Sequence, residues 1–260
     1  MRDAPAAEVD PGPFDLGEGR HAVLCLHGLT GTPYEVRPIG AALARAGLRA
    51  VGPMLPGHGG PSELLAAILH DVWFDAVRDA YRELRQQHEA VSVVGLSLGG
   101  LLSLALASEE DVDALVVIGT PLHVHARFVS WIPVLKRWKH GFPKHRGSDI
   151  RHAEARDRHP SMNVMPLASI HELMRLQHRV RGGLDRVTAP ILVAHGVLDR
   201  TAKPSDACEI AGRVASEERE LLWLPNSGHV VPVDHDGPAL AEAVTLFLTR
   251  KRSPLRYVAS

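Results

Sequence analysis

Short apolar runs alternate with longer stretches of helical periodicity along most of the chain. The runs are rich in Val, Leu and Ile, and they are Ala22–Leu26, Arg49–Leu55, Val91–Gly95, Ala114–Ile118, Ile191–His195 and Leu221–Leu224. Between them, one segment repeats apolar residues at spacings of three to four: Trp73, Val77, Tyr81 and Leu84. Pro33–Ala46 and Pro238–Arg250 predict two further helices. Nearly continuous apolar strands that alternate with helices are typical of an α/β protein with a mostly parallel sheet covered on both faces.

The alternation breaks down between Pro121 and Arg186. This segment is rich in Arg and His and shows no convincing strand, and it is too long to be an ordinary loop. Ser169–Arg179 has the spacing of a helix. We therefore expect an N-terminal extension over residues 1–20, an α/β core over residues 21–120 and 187–260, and a small helical insertion over residues 121–186.

The strongest motif for chemistry is Gly95-Leu96-Ser97-Leu98-Gly99. It follows a predicted strand and opens an apolar helix, which is the context of a nucleophile elbow. The turn is too tight for side chains at the two glycine positions that flank Leu96-Ser97-Leu98, and the serine is held exposed and strained. A glycine-rich phosphate loop is the alternative, but no Lys-Ser or Lys-Thr pair follows.

A serine hydroxyl becomes a good nucleophile only when a base removes its proton, and an imidazole base needs a carboxylate to fix its tautomer. In this topology the partners follow in the order Ser, acid, His, each after a strand. Asp199 follows Ile191–His195, and His229 follows Leu221–Leu224. We therefore expect Ser97, Asp199 and His229 to form a catalytic triad.

Other residues fit the roles of acid and base less well. Asp185 precedes the strand, and Asp206 falls within a predicted helix. His235, with its neighbours Asp234 and Asp236, is farther from the strand end. We expect these three to form the solvated start of the final helix.

A tetrahedral intermediate also needs hydrogen-bond donors for its negative oxygen, each worth about 2.7–4 kcal/mol of the barrier. The residue after the nucleophile, Leu98, is expected to supply one backbone N–H. The second is expected from Leu29, because Gly28 and Gly31 near it allow close approach of the backbone. His27 is interpreted as a structural residue that hydrogen-bonds this loop.

Five motifs occur in register: LHGLTG, LPGHG, GLSLGG, HGVLD and SGHVVPVD. With them the chain resembles the bacterial carboxylesterases and monoacylglycerol lipases of the α/β-hydrolase fold. The resemblance implies Ser97 as nucleophile, Asp199 as acid and His229 as base, with Leu29 and Leu98 as oxyanion donors. These esterases often carry an aromatic residue where Leu29 stands, so the acyl pocket is expected to differ. The resemblance also implies that the insertion is a cap.

Composition places the chain among ordinary globular proteins. Its 260 residues, 45% apolar and 23% charged, suit one α/β domain with an insertion and exclude disordered, collagen-like and coiled-coil chains. Two cysteines, Cys25 and Cys208, do not make a disulfide framework. The N-terminus resembles no secretory signal, and no run reaches the 18 apolar residues of a membrane span. We therefore expect a cytoplasmic protein without a transmembrane segment.

The net charge of −1 argues against a nucleic-acid-binding protein, but it hides an uneven distribution. Residues 121–186 contain 13 Lys and Arg against 5 Asp and Glu, a net of +8, and the rest carries −9. Two interpretations stay open. The basic groups are solvated or paired with acidic core residues, or they attract anionic substrates or make peripheral contact with an anionic lipid surface.

The pair His123-x-His125 has the spacing of metal ligands, but no Cys or acidic residue stands beside it, so no metal is expected. The sequence predicts a serine esterase that hydrolyses short- to medium-chain acyl esters or monoacylglycerols, small-molecule substrates, through an acyl-enzyme and without a cofactor. A thioesterase, an acyltransferase or a C–C bond hydrolase would use the same triad. A non-catalytic binding protein of this fold is the alternative from another class.

Overall fold

The structure is a computed structural model that describes residues 9–124, 131–144 and 147–250. Its strands are β1 (Phe14–Leu16), β2 (His21–Leu26), β3 (Arg49–Gly52), β4 (Ala90–Leu96), β5 (Leu115–Ile118), β6 (Gly141–Pro143), β7 (Val164–Pro166), β8 (Ile191–Gly196) and β9 (Arg219–Leu224). Its helices are α1 (Arg37–Arg45), α2 (Ser62–Ala66), α3 (His70–Gln87), α4 (Leu98–Ala107), α5 (Ile132–Leu135), α6 (Ala153–Arg158), α7 (Leu167–Arg181), α8 (Pro204–Arg213) and α9 (Gly237–Thr249).

Seven strands form one sheet in the order β1-β3-β2-β4-β5-β8-β9. Only β1 runs antiparallel to its neighbour, so the predicted mostly parallel sheet is confirmed. The central strands β5 and β8 are buried along their whole length, as expected where helices cover both faces.

Two apolar layers fill the space between the sheet and its helices. On one face α1 and α9 pack through side chains such as Ile39 and Phe247. On the other face α3, α4, α7 and α8 pack through side chains such as Trp73 and Leu176. Because α7 contributes to this second layer, part of the insertion is packed into the core. Within the described part of the chain, no helix is both long and apolar enough to cross a membrane.

The parallel strands place their following loops at one edge of the sheet. The carboxyl ends of β2, β4, β8 and β9 meet there, and ligands of open α/β sheets bind at this edge. The residues between β5 and β8 include the insertion, which therefore starts from the same edge.

Three local predictions differ from the structure, and proline explains two of them. The helix expected from Pro33 is a 3₁₀ turn over Pro33–Glu35, and α1 begins only at Arg37 because Pro38 fits best in a first helical turn. Strand β3 ends at Gly52 because Pro53 has no N–H for the ladder. The expectation that the insertion lacks strands is wrong, since β6 and β7 pair antiparallel. These strands have three residues each, too few for a period-two pattern.

The sequence pattern did not predict β1, which lies in the segment expected to be an N-terminal extension. Phe14 pairs with Gly52 across the two strands and buries its ring to 6% exposure. Any side chain at Gly40 or Gly52 would collide with that ring. Phe14 therefore fills a space that two glycines leave open, and it fixes β1 on the sheet.

We predict that Phe14→Ala lowers the free energy of unfolding by about 3 kcal/mol, because it leaves a cavity between β1, β3 and α1. Asp15→Ala on the same strand removes only an exposed pair with Arg49 and should cost less than about 1 kcal/mol. Urea denaturation of both variants measures the difference. Equal, small losses would show that β1 does not belong to the folded core.

Candidate active site

Ser97 stands in a strained turn between β4 and α4. Its backbone has φ 55° and ψ −111°, a left-handed conformation that is rare for residues other than glycine. A side chain on Gly95 would collide with the Gly99 carbonyl, and one on Gly99 would collide with the Leu26 carbonyl. The sequence G-x-S-x-G is therefore required by the close approach of strand and helix, and it lifts Ser97 above the edge of the sheet.

The structure brings Ser97, His229 and Asp199 together in one chain of hydrogen bonds. The Ser97 Oγ lies 2.9 Å from His229 Nε2, and His229 Nδ1 lies 2.8 Å from Asp199 Oδ2. The other carboxylate oxygen of Asp199 accepts hydrogen bonds from the N–H groups of Thr201 at 2.7 Å and Ala202 at 2.9 Å. The carboxylate is thus held from both sides and fixes the orientation of the imidazole ring.

Charge and burial act in opposite directions on this pair. Burial by itself lowers the pKa of His229, but the charge and hydrogen bond of Asp199 outweigh it and hold that pKa above its ordinary value. Burial by itself raises the pKa of Asp199, but His229 and two backbone N–H groups hold that pKa below its usual range. The arrangement therefore favours an ionised carboxylate and makes the imidazole a stronger base.

Leu98 follows Ser97 directly in the chain, and Leu29 lines the same cavity as Ser97. Leu98 is the first residue of α4, so its N–H has no acceptor within the helix. The carbonyl of Gly28 accepts from His27 Nδ1 at 3.0 Å and from Gly31 N at 3.2 Å. Because C=O and N–H of one peptide point in opposite directions, this anchored carbonyl turns the N–H of Leu29 away from His27.

His27 has the structural role expected from the sequence. Its Nε2 accepts a hydrogen bond from Leu55 N at 3.1 Å, so Nδ1 carries the proton that it donates to Gly28 O. Burial lowers the pKa of His27, which favours this neutral form. His58 packs edge-on against it, with ring centroids 4.8 Å apart. These rings support the loop that presents Leu29.

A cavity of about 550 Å³ opens over these groups, and Ser97, His229 and Asp199 lie in its wall. Part of the lining is apolar and includes Leu29, Leu96, Met165, Ile170 and Leu173. Another part is polar and includes Thr30, Lys144, Ser148, Thr201 and Lys203. The cavity can therefore hold an apolar group beside the serine and a polar group at another wall.

The expectation that Asp234 and Asp236 are solvated is wrong. Asp234 is 5% exposed, and its carboxylate accepts from Gly228 N, Arg151 N and His152 N at 2.8 Å each. It thereby ties the loop of His229 to the insertion. Sequence position gave no sign of this, because an acidic residue just before a helix is commonly a surface group.

Asp149, like Asp234, holds backbone groups of the site, and the sequence did not predict this role. Its side chain accepts from Arg200 N at 2.7 Å, and its backbone carbonyl accepts from His229 N at 2.9 Å. Asp149 belongs to the insertion, so residues from that segment hold the backbone of two loops of the site. The motif GSDI around it carries no periodicity that would mark this role.

Of the two histidines with the spacing of metal ligands, the structure describes only His123, which contacts a glutamate. His123 Nε2 lies 3.0 Å from Glu209 Oε2, and His125 lies outside the described residues. Over residues 9–124, 131–144 and 147–250, no group of three or more His, Cys, Asp or Glu is arranged to hold a metal ion.

We predict that Asp199→Asn lowers the pKa of His229, because burial then acts without the carboxylate that opposes it most, while the charges of Asp149 and Glu35 remain. NMR titration of the imidazole resonances measures both values, with the His229→Gln variant to assign the signal. His58, whose pKa burial lowers to about 3, serves as an internal reference that should not move. An unchanged pKa of His229 would contradict the assignment of Asp199 as its charge partner.

Known proteins resemble this chain over nearly its whole length. A thermostable monoacylglycerol lipase of Bacillus sp. strain H-257 is 31% identical over 241 residues, which cover 92% of this chain and 94% of the lipase. A carboxylesterase of Bacillus subtilis strain 168 is 29% identical over 243 residues, 93% of this chain and 98% of the esterase.

A solved structure from a study of two metagenome-derived lipolytic enzymes has a TM-score of 0.86 and 27% sequence identity. The match covers 92% of this chain and 98% of that one. The architecture is therefore the α/β-hydrolase fold, as expected from the sequence. The family model for serine aminopeptidase S33 matches residues 17–236, and the chain belongs to that family of hydrolases.

Proposed function

We propose that the protein is a serine hydrolase that cleaves carboxylic esters. The observation that carries the proposal is the hydrogen-bonded chain Ser97–His229–Asp199 in the wall of a partly apolar cavity. The names of the two Bacillus relatives, a monoacylglycerol lipase and a carboxylesterase, support the same reaction. No step of the proposed reaction requires a cofactor.

In the first half-reaction, Ser97 Oγ attacks the ester carbonyl carbon while His229 Nε2 accepts the hydroxyl proton. The resulting oxyanion receives hydrogen bonds from the N–H groups of Leu29 and Leu98. His229 then gives its proton to the leaving alcohol oxygen, and the C–O bond to the alcohol breaks. Asp199 keeps the imidazole oriented and stabilises its positive charge throughout.

In the second half-reaction, water takes the place of the alcohol. His229 removes a proton from the water, whose oxygen attacks the acyl carbon of the Ser97 ester. The same two N–H groups hold the second oxyanion. Return of the proton to Ser97 Oγ breaks the acyl bond and releases the carboxylic acid, so the enzyme is regenerated.

The cavity suits a short- to medium-chain acyl ester or a monoacylglycerol. Leu29, Ile170 and Leu173 offer an apolar surface for the acyl chain, and Thr30 and Lys144 offer polar atoms for a hydroxylated alcohol. Leu29 occupies less space than an aromatic ring would, which leaves room beside the oxyanion loop.

Residues 121–186 are proposed to form a cap over this cavity, between core segments 21–120 and 187–260. Met165, Ile170 and Leu173 come from this segment and line the cavity. Lys144, Ser148 and other polar groups of the lining come from it as well. The cap therefore supplies much of the surface that selects a substrate.

The cap also carries an exposed patch suited to an anionic lipid surface. We define the basic-aromatic patch as Trp131, Val134, Lys136, Arg137, Trp138, Lys139 and Phe142. Trp138 is 87% exposed and Trp131 61% exposed, which is unusual for residues of this size. Tryptophan favours the membrane interface and Lys and Arg favour anionic lipids, so we propose peripheral contact of this patch with such surfaces.

A cytoplasmic location is proposed from the state of the two cysteines. Cys25 is buried and Cys208 is exposed, and both are free thiols. An exposed free thiol is typical of proteins that stay in a reducing compartment.

We predict that Ser97→Ala lowers kcat for p-nitrophenyl butyrate by about 10⁶-fold, because the nucleophile is lost while the fold remains. The wild type should hydrolyse acyl esters and monoacylglycerols faster than acyl-CoA thioesters, β-diketones or aminoacyl-p-nitroanilides. Rates measured on this panel distinguish an esterase from a thioesterase, a C–C bond hydrolase or an aminopeptidase. Ester hydrolysis retained by the alanine variant would overturn the proposal.

We predict that the wild type co-sediments with vesicles containing phosphatidylglycerol, and less so at high salt. The double variant Trp131→Ala/Trp138→Ala should lose most of this binding. Leu246→Ala, which removes an exposed apolar side chain on α9 at the surface of the core, is the matched control and should bind like the wild type. Equal binding by all three proteins would exclude the patch as the contact surface.

A further inference from the structure

A buried carboxylate lies directly beneath the loop that presents Leu29. Glu35 ends the 3₁₀ turn after this loop and is 3% exposed. Its Oε2 accepts a hydrogen bond from Gly28 N at 2.7 Å. A side chain on Gly28 would lie 3.1 Å from that oxygen and 3.5 Å from Ser97 Cβ. The carboxylate and the nucleophile are therefore close neighbours on one side of the loop.

The partner of Glu35 comes from the cap. His159 Nε2 lies 3.0 Å from Glu35 Oε1, and the two side chains are 1% and 4% exposed. His159 Nε2 and Glu35 Oε1 are therefore at ion-pair distance between two almost fully buried side chains. On its other side, His159 Nδ1 lies 2.7 Å from Ser148 Oγ.

The pair keeps Glu35 in its charged form. Burial alone raises the pKa of a carboxyl, but the contact with His159, the charge of that imidazole and the Gly28 N–H lower the pKa of Glu35 to about 2. Two other basic groups face it, His27 from its own loop and Lys144 from the cap. Lys144 Nζ donates to Thr30 Oγ1 at 3.1 Å and so also contacts the loop.

Gly28 is thus fixed at both of its polar backbone atoms. Glu35 holds its N–H, and His27 and Gly31 N hold its carbonyl. The N–H of Leu29 belongs to the same peptide plane as that carbonyl. Any rotation at Gly28 would therefore turn the proposed oxyanion donor away from the reacting carbonyl.

A carboxylate in this place also creates an electrostatic problem. Glu35 lines the cavity, and a negative charge there would repel the oxyanion that forms on the substrate. An imidazolium at His159, 3.0 Å from the carboxylate, would offset this repulsion locally. The cap residue can thus serve the charge balance of the site.

We propose that Glu35 and His159 form a positioning pair, in which Glu35 holds the oxyanion loop and His159 neutralises its charge. The proposal rests on the proposed function, because it assigns Leu29 N–H to the oxyanion. It makes the cap part of the catalytic apparatus. A cap displaced from the core would leave the loop without its buried support and the cavity with an unpaired negative charge.

Four variants test this pair: Glu35→Ala, Glu35→Gln, His159→Leu and the double variant Glu35→Gln/His159→Leu. Glu35→Ala should lower kcat/KM for p-nitrophenyl butyrate by on the order of 10²-fold, as for a misplaced catalytic group. Its affinity for a trifluoromethyl ketone, which forms a tetrahedral adduct, should fall by a similar factor. Glu35→Gln still accepts the Gly28 N–H and should stay within about threefold of the wild type.

The histidine variant separates charge from packing. His159→Leu removes the nearest basic group from a buried carboxylate, leaves only Lys144 and His27 facing it, and should lose on the order of 10-fold in kcat/KM. Adding Glu35→Gln removes that charge and should restore most of the loss. A purely structural role predicts the opposite, because the double variant removes more native contacts than the single one.

A second buried pair provides the matched control. His70 Nδ1 lies 2.8 Å from Glu172 Oε2, the side chains are 9% and 5% exposed, and the pair joins α3 to α7 away from the oxyanion loop. Glu172→Ala should lower the melting temperature as Glu35→Ala does, yet leave kcat/KM within about twofold of the wild type.

Two results would overturn the proposed role of the pair. One is an equal loss of kcat/KM in Glu35→Ala and Glu172→Ala, and the other is a double variant whose kcat/KM is no higher than that of His159→Leu. Either leaves the proposed function intact, because that depends on ester hydrolysis by the wild type and its loss in Ser97→Ala. If the wild type hydrolyses no ester, the proposed function fails instead. The affinities of the variants for the trifluoromethyl ketone would then still show whether the loop that presents Leu29 is correctly positioned in each of them.

Discussion

The hydrogen bond between the carboxylate of Asp199 and the ring of His229 is the interaction on which the site depends. It gives the imidazole one tautomer and one direction, so that Nε2 faces Ser97 Oγ at 2.9 Å. The bond exists only because β8 and β9 are parallel neighbours whose following loops meet at one edge of the sheet. The order of the strands in the sheet thus decides which side chains can meet in the active site.

Around this bond, carboxylates hold the backbone of three loops of the site. Asp149 and Asp234 hold the loops after β8 and β9, and Glu35 holds the loop after β2. A carboxylate that accepts backbone N–H groups makes strong, charge-assisted hydrogen bonds. Asp149 and the partner of Glu35 belong to residues 121–186, so this segment and the site are linked by polar contacts as well as by the apolar layer under α7.

The sequence predicted those parts of the fold and of the site that depend on residues close together in the chain. Ser97 is recognisable because its glycines are required by one turn, and Asp199 and His229 because they follow apolar strands. Strand β1 has three residues, too few for a pattern, and it depends on glycines in α1 and β3. The buried position of Asp234 and the contact of Glu35 with His159 depend on residues far apart in the chain, which periodicity does not report.

The uneven charge of the chain is partly explained by pairing. Arg179 of the cap segment pairs with Asp71 at 3.4 Å and with Glu109 at 2.7 Å, as expected if basic groups face the acidic core. The basic-aromatic patch has a different environment, because its tryptophans point into solvent. Pairing therefore accounts for part of the positive charge, and the rest includes the exposed basic groups of the patch.

Ser97 is proposed as the activated nucleophile on which the whole reaction depends. Treatment with one equivalent of a fluorophosphonate, followed by peptide mass spectrometry, identifies the residue that reacts. We expect stoichiometric modification of the peptide that contains Ser97, with loss of labelling in Asp199→Asn or His229→Gln. Modification of another serine, or labelling that is independent of His229, would contradict it.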